Sequence, residues 1–278
     1  MTDHVQGKTI VVTGAASGFG RLVSQKAGAR GARIVGGDVD ADGLEETARL
    51  VREAGGEMAT IVTDVTQLAD QQALVGLGVE RFGGVDVMLN NAGTMPLAFF
   101  SDHGVAMDAW NRCIDVNIRG VLNGMVAAYE VMNAAGRGHV INVSSIYGNF
   151  PVVGAAVYGA SKAAVDFLSE SMRMETRGRI KVTTVKPTGV PATNLAGGVV
   201  NPEAPIGIWG HFAATDLPRF EAMAAGQLPA AEADPESIEY FVLAPEHIAD
   251  AILHAIDQPW GVSIGSITVR AAGDGYVL

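Results

Sequence analysis

The sequence predicts a single α/β domain: a doubly wound sheet of about seven parallel strands with helices on both faces. Three observations predict it. Short apolar runs alternate with longer stretches of helical periodicity along most of the chain. Most runs hold apolar residues in succession rather than only at every second position, as in strands covered on both sides. The chain has 278 residues, 48% of them hydrophobic, enough for one large core, and no repeat or low-complexity linker divides it.

The elements follow in order. Thr9 to Thr13 reads as the first strand, then a glycine-rich turn and a helix from about Gly18 to Arg30. Arg33 to Gly37 is the second strand and Leu44 to Glu53 its helix. Met58 to Val62 is the third, with a helix near Gln67 to Phe82. Val85 to Leu89 is the fourth, followed by one long helical region from about Met107 to Asn133. His139 to Val143 is the fifth, with a helix from about Val157 to Thr176, and Ile180 to Val185 is the sixth. A last helix spans about Pro245 to Ile256, and Ser266 to Val269 closes the set. The stretch 188–243 breaks the pattern with six prolines and six glycines among several aromatics. A loop this long inside a compact domain is usually functional, so a lid or wall over the substrate is expected there.

Bulk properties narrow the function. The net charge is −11 with no basic stripe, which argues against nucleic acid or an anionic membrane as partner. The one cysteine, Cys113, allows no intrachain disulfide and no thiolate metal site, and inert packing is expected of it. His103, His139, His211, His247 and His254 lack a paired spacing suited to a metal. Met1 to Lys8 is short and polar, without the apolar segment of a signal peptide, and no run of 18 apolar residues occurs. A cytoplasmic protein is expected.

Tyr158 and Lys162 lie four residues apart and share one face of the predicted helix. A phenol has an ordinary pKa of about 10, and lowering it by roughly three units takes about 4 kcal/mol. An ammonium about 4 Å away supplies about that much at an effective dielectric near 20. The pair is therefore a candidate acid–base couple.

The run Thr13-Gly14-Ala15-Ala16-Ser17-Gly18-Phe19-Gly20 follows a strand and opens a helix. Its glycines allow a tight turn and close approach to a pyrophosphate, which would meet the helix N-terminus. This is the arrangement of a Rossmann-type nucleotide site. Asp38 ends the second strand, placed to bond the adenosine ribose and to repel a 2′-phosphate. Ser17 and Val39, its expected neighbours, are not basic, so NAD is favoured over NADP. Asp64-Val65 ends the third strand and is placed to meet the adenine. Asn90-Asn91-Ala92-Gly93 ends the fourth, where small residues let the chain pass close to a ligand.

These pieces together resemble the short-chain dehydrogenase/reductase family, in its subclass of roughly 250 residues. The resemblance rests on Thr13-Gly14-x-x-x-Gly18-x-Gly20, Asp64-Val65, Asn90-Asn91-Ala92-Gly93, Asn117, Ser144-Ser145 and Tyr158-x-x-x-Lys162, in that order. It covers residues 7 to about 190 closely and resumes from about 245. It implies that Tyr158 is the catalytic acid/base and that Lys162 lowers its pKa and binds the nicotinamide ribose. Ser145 would hydrogen-bond the substrate oxygen, with Ser144 the weaker candidate. Asn117 would hold a water linking Lys162 to solvent, and Val190 would offer backbone groups to the nicotinamide carboxamide. The remaining cofactor contacts would come from Gly14, Ser17, Gly18, Phe19, Gly20, Asp38, Asp64, Val65, Asn91, Ala92 and Gly93. The sequence departs from the family pattern after the sixth strand. Pro187 is followed by Thr188-Gly189-Val190-Pro191-Ala192-Thr193, with the Gly and the Thr each displaced by one, so Thr193 is left out of the predicted set. The ending Ile264 to Arg270 lacks the family's usual Gly-Gly.

The implied reaction is reversible hydride transfer between NAD and a secondary alcohol or ketone. Met95, Leu97, Phe99, Phe100, Ile146, Tyr147, Phe150, Val153, Trp209 and Phe212 are candidate lining. None is cationic, so a bulky apolar substrate without a phosphate handle is expected, with terpenoid, steroid, cyclic and aryl alcohols all open. Relatives usually pair the two long helices, which implies a homodimer or homotetramer. Two other readings share these motifs: a dinucleotide-binding regulator without turnover, and an epimerase, dehydratase or enoyl reductase. The latter usually alter the Tyr–Lys spacing or the strand-four signature, and neither is altered here.

Overall fold

The computed structural model describes residues 3–191 and 193–276. Met1 and Thr2 of the predicted N-terminal stretch, Ala192 and the His211 side chain lie outside the described residues.

Seven strands form one sheet: β1 (Thr9–Thr13), β2 (Arg33–Asp38), β3 (Glu57–Val62), β4 (Val87–Asn90), β5 (Gly138–Val143), β6 (Ile180–Pro187) and β7 (Ser266–Val269). All pairs are parallel, in the order β3-β2-β1-β4-β5-β6-β7. The chain winds outward from β1 to β3, then returns to place β4 on the other side of β1. That reversal opens a crevice beyond the carboxyl ends of β1 and β4, where sheets of this kind bind ligands.

Two cores flank the sheet. On one face α1 (Gly18–Ala29), α2 (Ala41–Glu53) and the last helix (Pro245–Ile256) bury Val23, Leu44, Ile248 and Ile252 against Ile10, Ile34 and Ile141. On the other, α3 (Leu68–Phe82), α5 (Gly120–Ala134) and α6 (Ala156–Glu175) bury Leu74, Met125, Val165 and Met172 against Val11, Val35, Met88 and Val140. Strand residues contribute alternately to the two faces, which is why successive residues of a run are apolar.

Gly124 on α5 lies against β4: a Cβ there would sit 1.9 Å from Asn90 Oδ1 and 2.8 Å from Met88 Cε. Gly124→Ala therefore overpacks this contact and is expected to lower stability by about 1–3 kcal/mol, read as a shifted denaturant midpoint at unchanged slope.

Three expectations are corrected. The helix after β2 begins at Ala41 rather than Leu44, because Asp40 caps it by accepting the Gly43 N–H at 3.0 Å. The single helix expected over 107–133 is two, α4 (His103–Ile114) and α5, joined by a π turn over Asp115–Arg119. One extra residue in that turn re-aims side chains while the overall path stays helical. The stretch 188–243 is not a long open loop. Its described residues form a 3₁₀ turn (Asn194–Gly198) and the helices α7 (Ala204–Trp209), α8 (Ala213–Ala224) and α9 (Ala230–Ala233), which makes the last helix α10. Its prolines read as breakers, yet Pro205 stands in the first turn of α7, where no N–H is needed.

Candidate active site

A cleft of about 500 Å³ opens at the carboxyl ends of the strands. Its floor is the turn between β1 and α1, locked to the loop after β4. Thr13 Oγ1 accepts the N–H groups of Asn91 and Ala92 at 3.1 and 3.2 Å. Asn91 Nδ2 returns bonds to the Thr13 and Gly14 carbonyls at 3.0 and 3.2 Å. Gly14 has φ +67°, and a Cβ there would lie 2.8 Å from Asn91 Nδ2. Gly18 has φ +51° and would meet no atom within 4 Å, because it borders the open cleft. Ser17 precedes α1 without a side-chain cap bond, so no side chain serves the first N–H groups there. A dinucleotide pyrophosphate fits this cradle: free N–H donors, a positive helix end and no side chain in the way.

Of the predicted cofactor residues, Gly14, Ser17, Gly18, Phe19, Asp38, Asp64, Val65, Asn91, Ala92, Gly93 and Val190 line the cleft, and Gly20 does not. Gly20 stands behind the turn, where a Cβ would lie 2.1 Å from Gly14 O, so it lets α1 pack rather than facing a ligand. Asp38 accepts the Ala16 N–H at 3.0 Å through one oxygen and the Asp40 N–H at 3.1 Å through the other. Arg21, close in sequence, is turned inward to the Ala16 and Gly43 carbonyls and Thr47 Oγ1. Asp64 spends one oxygen on Thr66, and Val65 is buried against Gly120.

At the other end of the cleft Ser145, Tyr158 and Lys162 meet. Tyr158 and Lys162 sit on α6 and are each only 4% exposed. Lys162 Nζ donates to Val143 O at the end of β5 at 2.8 Å and stands 5.8 Å from the Tyr158 ring centroid. Ser145 caps the 3₁₀ turn Ile146–Gly148 and hydrogen-bonds the Tyr158 phenol, which favours phenolate. The net direction is nevertheless a correction to the Coulomb argument. Burial is the largest influence on both groups: it pushes the Tyr158 phenol above its ordinary value and Lys162 down to about 8. The protein alone does not depress this phenol; a further positive charge in the cleft is needed.

Asn117 lies behind the cleft wall, fully buried in the π turn. Its Oδ1 accepts the Thr94 N–H at 2.9 Å, and its Nδ2 donates to Thr94 O at 2.9 Å and Ser161 Oγ at 3.0 Å. The side-chain amide thus ties the loop after β4 to α6. Cys113 is buried beside it, and burial raises its thiol.

The substrate end differs from expectation. Met95, Leu97, Tyr147 and Trp209 line the cleft; Phe99, Phe100, Ile146, Phe150, Val153 and Phe212 do not. Phe100 is turned out against Trp110, Ile146 is in the interior, and Phe150 and Val153 are exposed. Leu195, Val199, Ile208 and Phe220 stand in the wall instead, with Thr193 and, from the end of the chain, Tyr276. Arg112 also lines the cleft, so the lining carries a cation besides Lys162. Arg112 stands four residues before Val116, which also lines the cleft; no local pattern signals Tyr276, which long-range contacts bring in. Among the described residues no three His, Cys, Asp or Glu side chains gather as a metal site, and no helix is long and apolar enough to cross a membrane.

Comparisons with known proteins agree with this fold. The family described as short chain dehydrogenase matches residues 8–203. An uncharacterized oxidoreductase of Listeria monocytogenes is 32% identical over 95% of this chain and 96% of its own. A 2,5-dichloro-2,5-cyclohexadiene-1,4-diol dehydrogenase of Sphingobium indicum is 33% identical over 68% of this chain and 76% of its own. Two solved short-chain oxidoreductases are each 26% identical over 96% of this chain. One, from Burkholderia phymatum and in complex with NAD, has a TM-score of 0.75 over 90% of its chain. The other, metagenomic and in complex with NADP, has a TM-score of 0.72 over 98% of its chain.

Proposed function

Because the chain belongs to the short chain dehydrogenase family, we propose that it moves a hydride between NAD and a secondary alcohol or ketone with a sizeable apolar body. The observation that carries this reading is the buried Tyr158 phenol, bonded by Ser145 and backed by Lys162, opening on a largely apolar wall. The bound nicotinamide supplies or takes the hydride. Tyr158 takes the hydroxyl proton in oxidation and returns it in reduction. Ser145 donates to the oxygen as alkoxide charge develops. Lys162 keeps a positive charge behind the phenol and binds the nicotinamide ribose. Asn117 holds α6 and the loop after β4 in register through its side-chain amide, and would also hold the water linking Lys162 to solvent. Val190 serves the carboxamide through its backbone.

Asp38 supports NAD over NADP. Its carboxylate lines the cleft beside Ala16, and Ser17 and Val39 bring no charge to offset a 2′-phosphate. The described part of 188–243 acts as a fixed wall over the substrate. The Sphingobium relative's cyclic diol is in keeping with a ring-bearing alcohol. The test is nicotinamide absorbance with NAD and with NADP across a panel of bulky secondary alcohols. Reduction of NAD by at least one of them is expected. A folded protein that binds NAD and turns over none would move the reading to a regulator.

We assign the molecule to the cytoplasm and to a homo-oligomer. Apolar side chains stand exposed on α4, α5 and α6: Ile114, Leu122, Val126, Met174 and Phe167, the last 77% exposed. Phe167→Glu is expected to yield monomers by light scattering; an unchanged mass would remove this face from the interface.

A further inference from the structure

The C-terminal tail enters the cleft on a fixed path. Gly273 N donates to Tyr240 O at 2.8 Å, and Arg219 Nη1 on α8 donates to Gly273 O at 3.2 Å. Thr188 Oγ1 donates to Asp274 Oδ2 at 2.9 Å, and Arg270 Nη2 to Tyr276 O at 3.0 Å. The tail is thereby tied to α8, to the loop after β6 and to itself. It delivers the Tyr276 ring onto Gly189, where a Cβ would lie 2.3 Å from the phenol oxygen. The displaced glycine after β6 is the position that admits this ring.

Tyr276 stands edge-on to Tyr147 at 6.2 Å between centroids, and Tyr147 stands edge-on to the Tyr158 ring at 6.0 Å. All three line the cleft. The phenols of Tyr147 and Tyr276 lie beside each other, with the Trp209 indole beside Tyr276. An indole N–H only donates, so it can address only a lone pair of the Tyr276 oxygen. Two phenols hold two O–H hydrogens, and a bond between them uses at most one. Among the described residues no acceptor meets the second, at a site facing the substrate. Burial raises both phenols, so both remain neutral donors.

We propose that the Tyr147–Tyr276 pair binds a second neutral oxygen of the substrate, so that the preferred substrate is a diol, hydroxyketone or diketone whose two oxygens lie across an apolar ring. The reacting oxygen takes Tyr158 and Ser145, and the distal one takes the spare phenol hydrogen. This rests on the alcohol/ketone reading of the same cleft. A site built to bond a hydroxyl disfavours an analogue lacking it, because its own polar groups are then left unpaired.

The test compares cyclohexane-1,4-diol with cyclohexanol and 4-methylcyclohexanol, the last filling the volume without the oxygen. Binding to the NAD-saturated protein is measured by calorimetry, beside turnover. The wild type is expected to bind the diol about tenfold or more tightly than either mono-alcohol. The double variant Tyr147→Phe/Tyr276→Phe keeps the aromatic volume and is expected to lose that ratio. Equal binding of diol and 4-methylcyclohexanol by the wild type, a preference that survives the double variant, or no binding of the diol would each overturn the proposal. Should the double variant not fold, the wild-type comparison decides alone. Diol preference in binding without turnover would count against the reading of the reaction and leave this inference standing.

Discussion

Tyr158→Phe lowers kcat for alcohol oxidation by about 10²–10⁴-fold, the usual worth of a positioned acid/base, while NAD affinity stays within about threefold. The substitution removes one oxygen from a ring that is 4% exposed and packed edge-on against Tyr147. Ring packing survives, so the fold and the pyrophosphate cradle some distance away are untouched. What disappears is the proposed proton partner of the hydride and the donor proposed to act beside Ser145. Ser145 and Lys162 remain, and neither replaces it: a hydroxyl is a far weaker acid than a phenol, and Lys162 is held on Val143 O. Steady-state rates with a competent alcohol, beside calorimetric NAD binding, check this. A kcat within tenfold of wild type would remove Tyr158 from the chemistry.

Asp38→Ala is expected to shift the ratio of kcat/KM for NADP over NAD upward by about 10²-fold or more. A carboxylate and one phosphate charge about 4 Å apart repel by about 4 kcal/mol at an effective dielectric near 20. A thousandfold discrimination is about 4 kcal/mol, so that repulsion suffices for it. Asp38 also holds the Ala16 and Asp40 N–H groups, so the variant loosens the turn and raises KM for both cofactors. The ratio cancels this shared loss and reads the charge alone. An unchanged ratio would mean that Asp38 serves only the turn.

The strands and the nucleotide turn were legible because each is imposed by short-range physics. A strand covered on two faces is buried at every position, as β1 and β5 are, and successive apolar residues such as Ile10-Val11-Val12 and Val140-Ile141 mark it. Gly14 and Gly18 stand at positive φ where other residues would strain. The π turn at Asn117 was not legible, since one inserted residue barely alters helical periodicity. Nor were α7, whose Pro205 falls in the first turn, and α8, which continues through Pro218 in its interior. Tyr276 carries no local signal at all: Arg219, bonded to Gly273, and Thr188, bonded to Asp274, hold its tail at the cleft from distant parts of the chain. The Coulomb argument for the phenol omitted desolvation, which dominates once Tyr158 and Lys162 are both buried.

That last point yields the most direct test of the claim that Tyr158 is the proton partner in a cation-assisted cleft. Phenolate absorbance is titrated in the wild type and in Tyr158→Phe, free and saturated with NAD, and the difference isolates one side chain. In the free protein no Tyr158 titration is expected below pH about 10, the ordinary phenol value, because burial raises this group. With oxidised NAD the midpoint is expected to fall by at least about two units, as an added positive charge favours the phenolate. A midpoint that is the same with and without NAD would contradict the account.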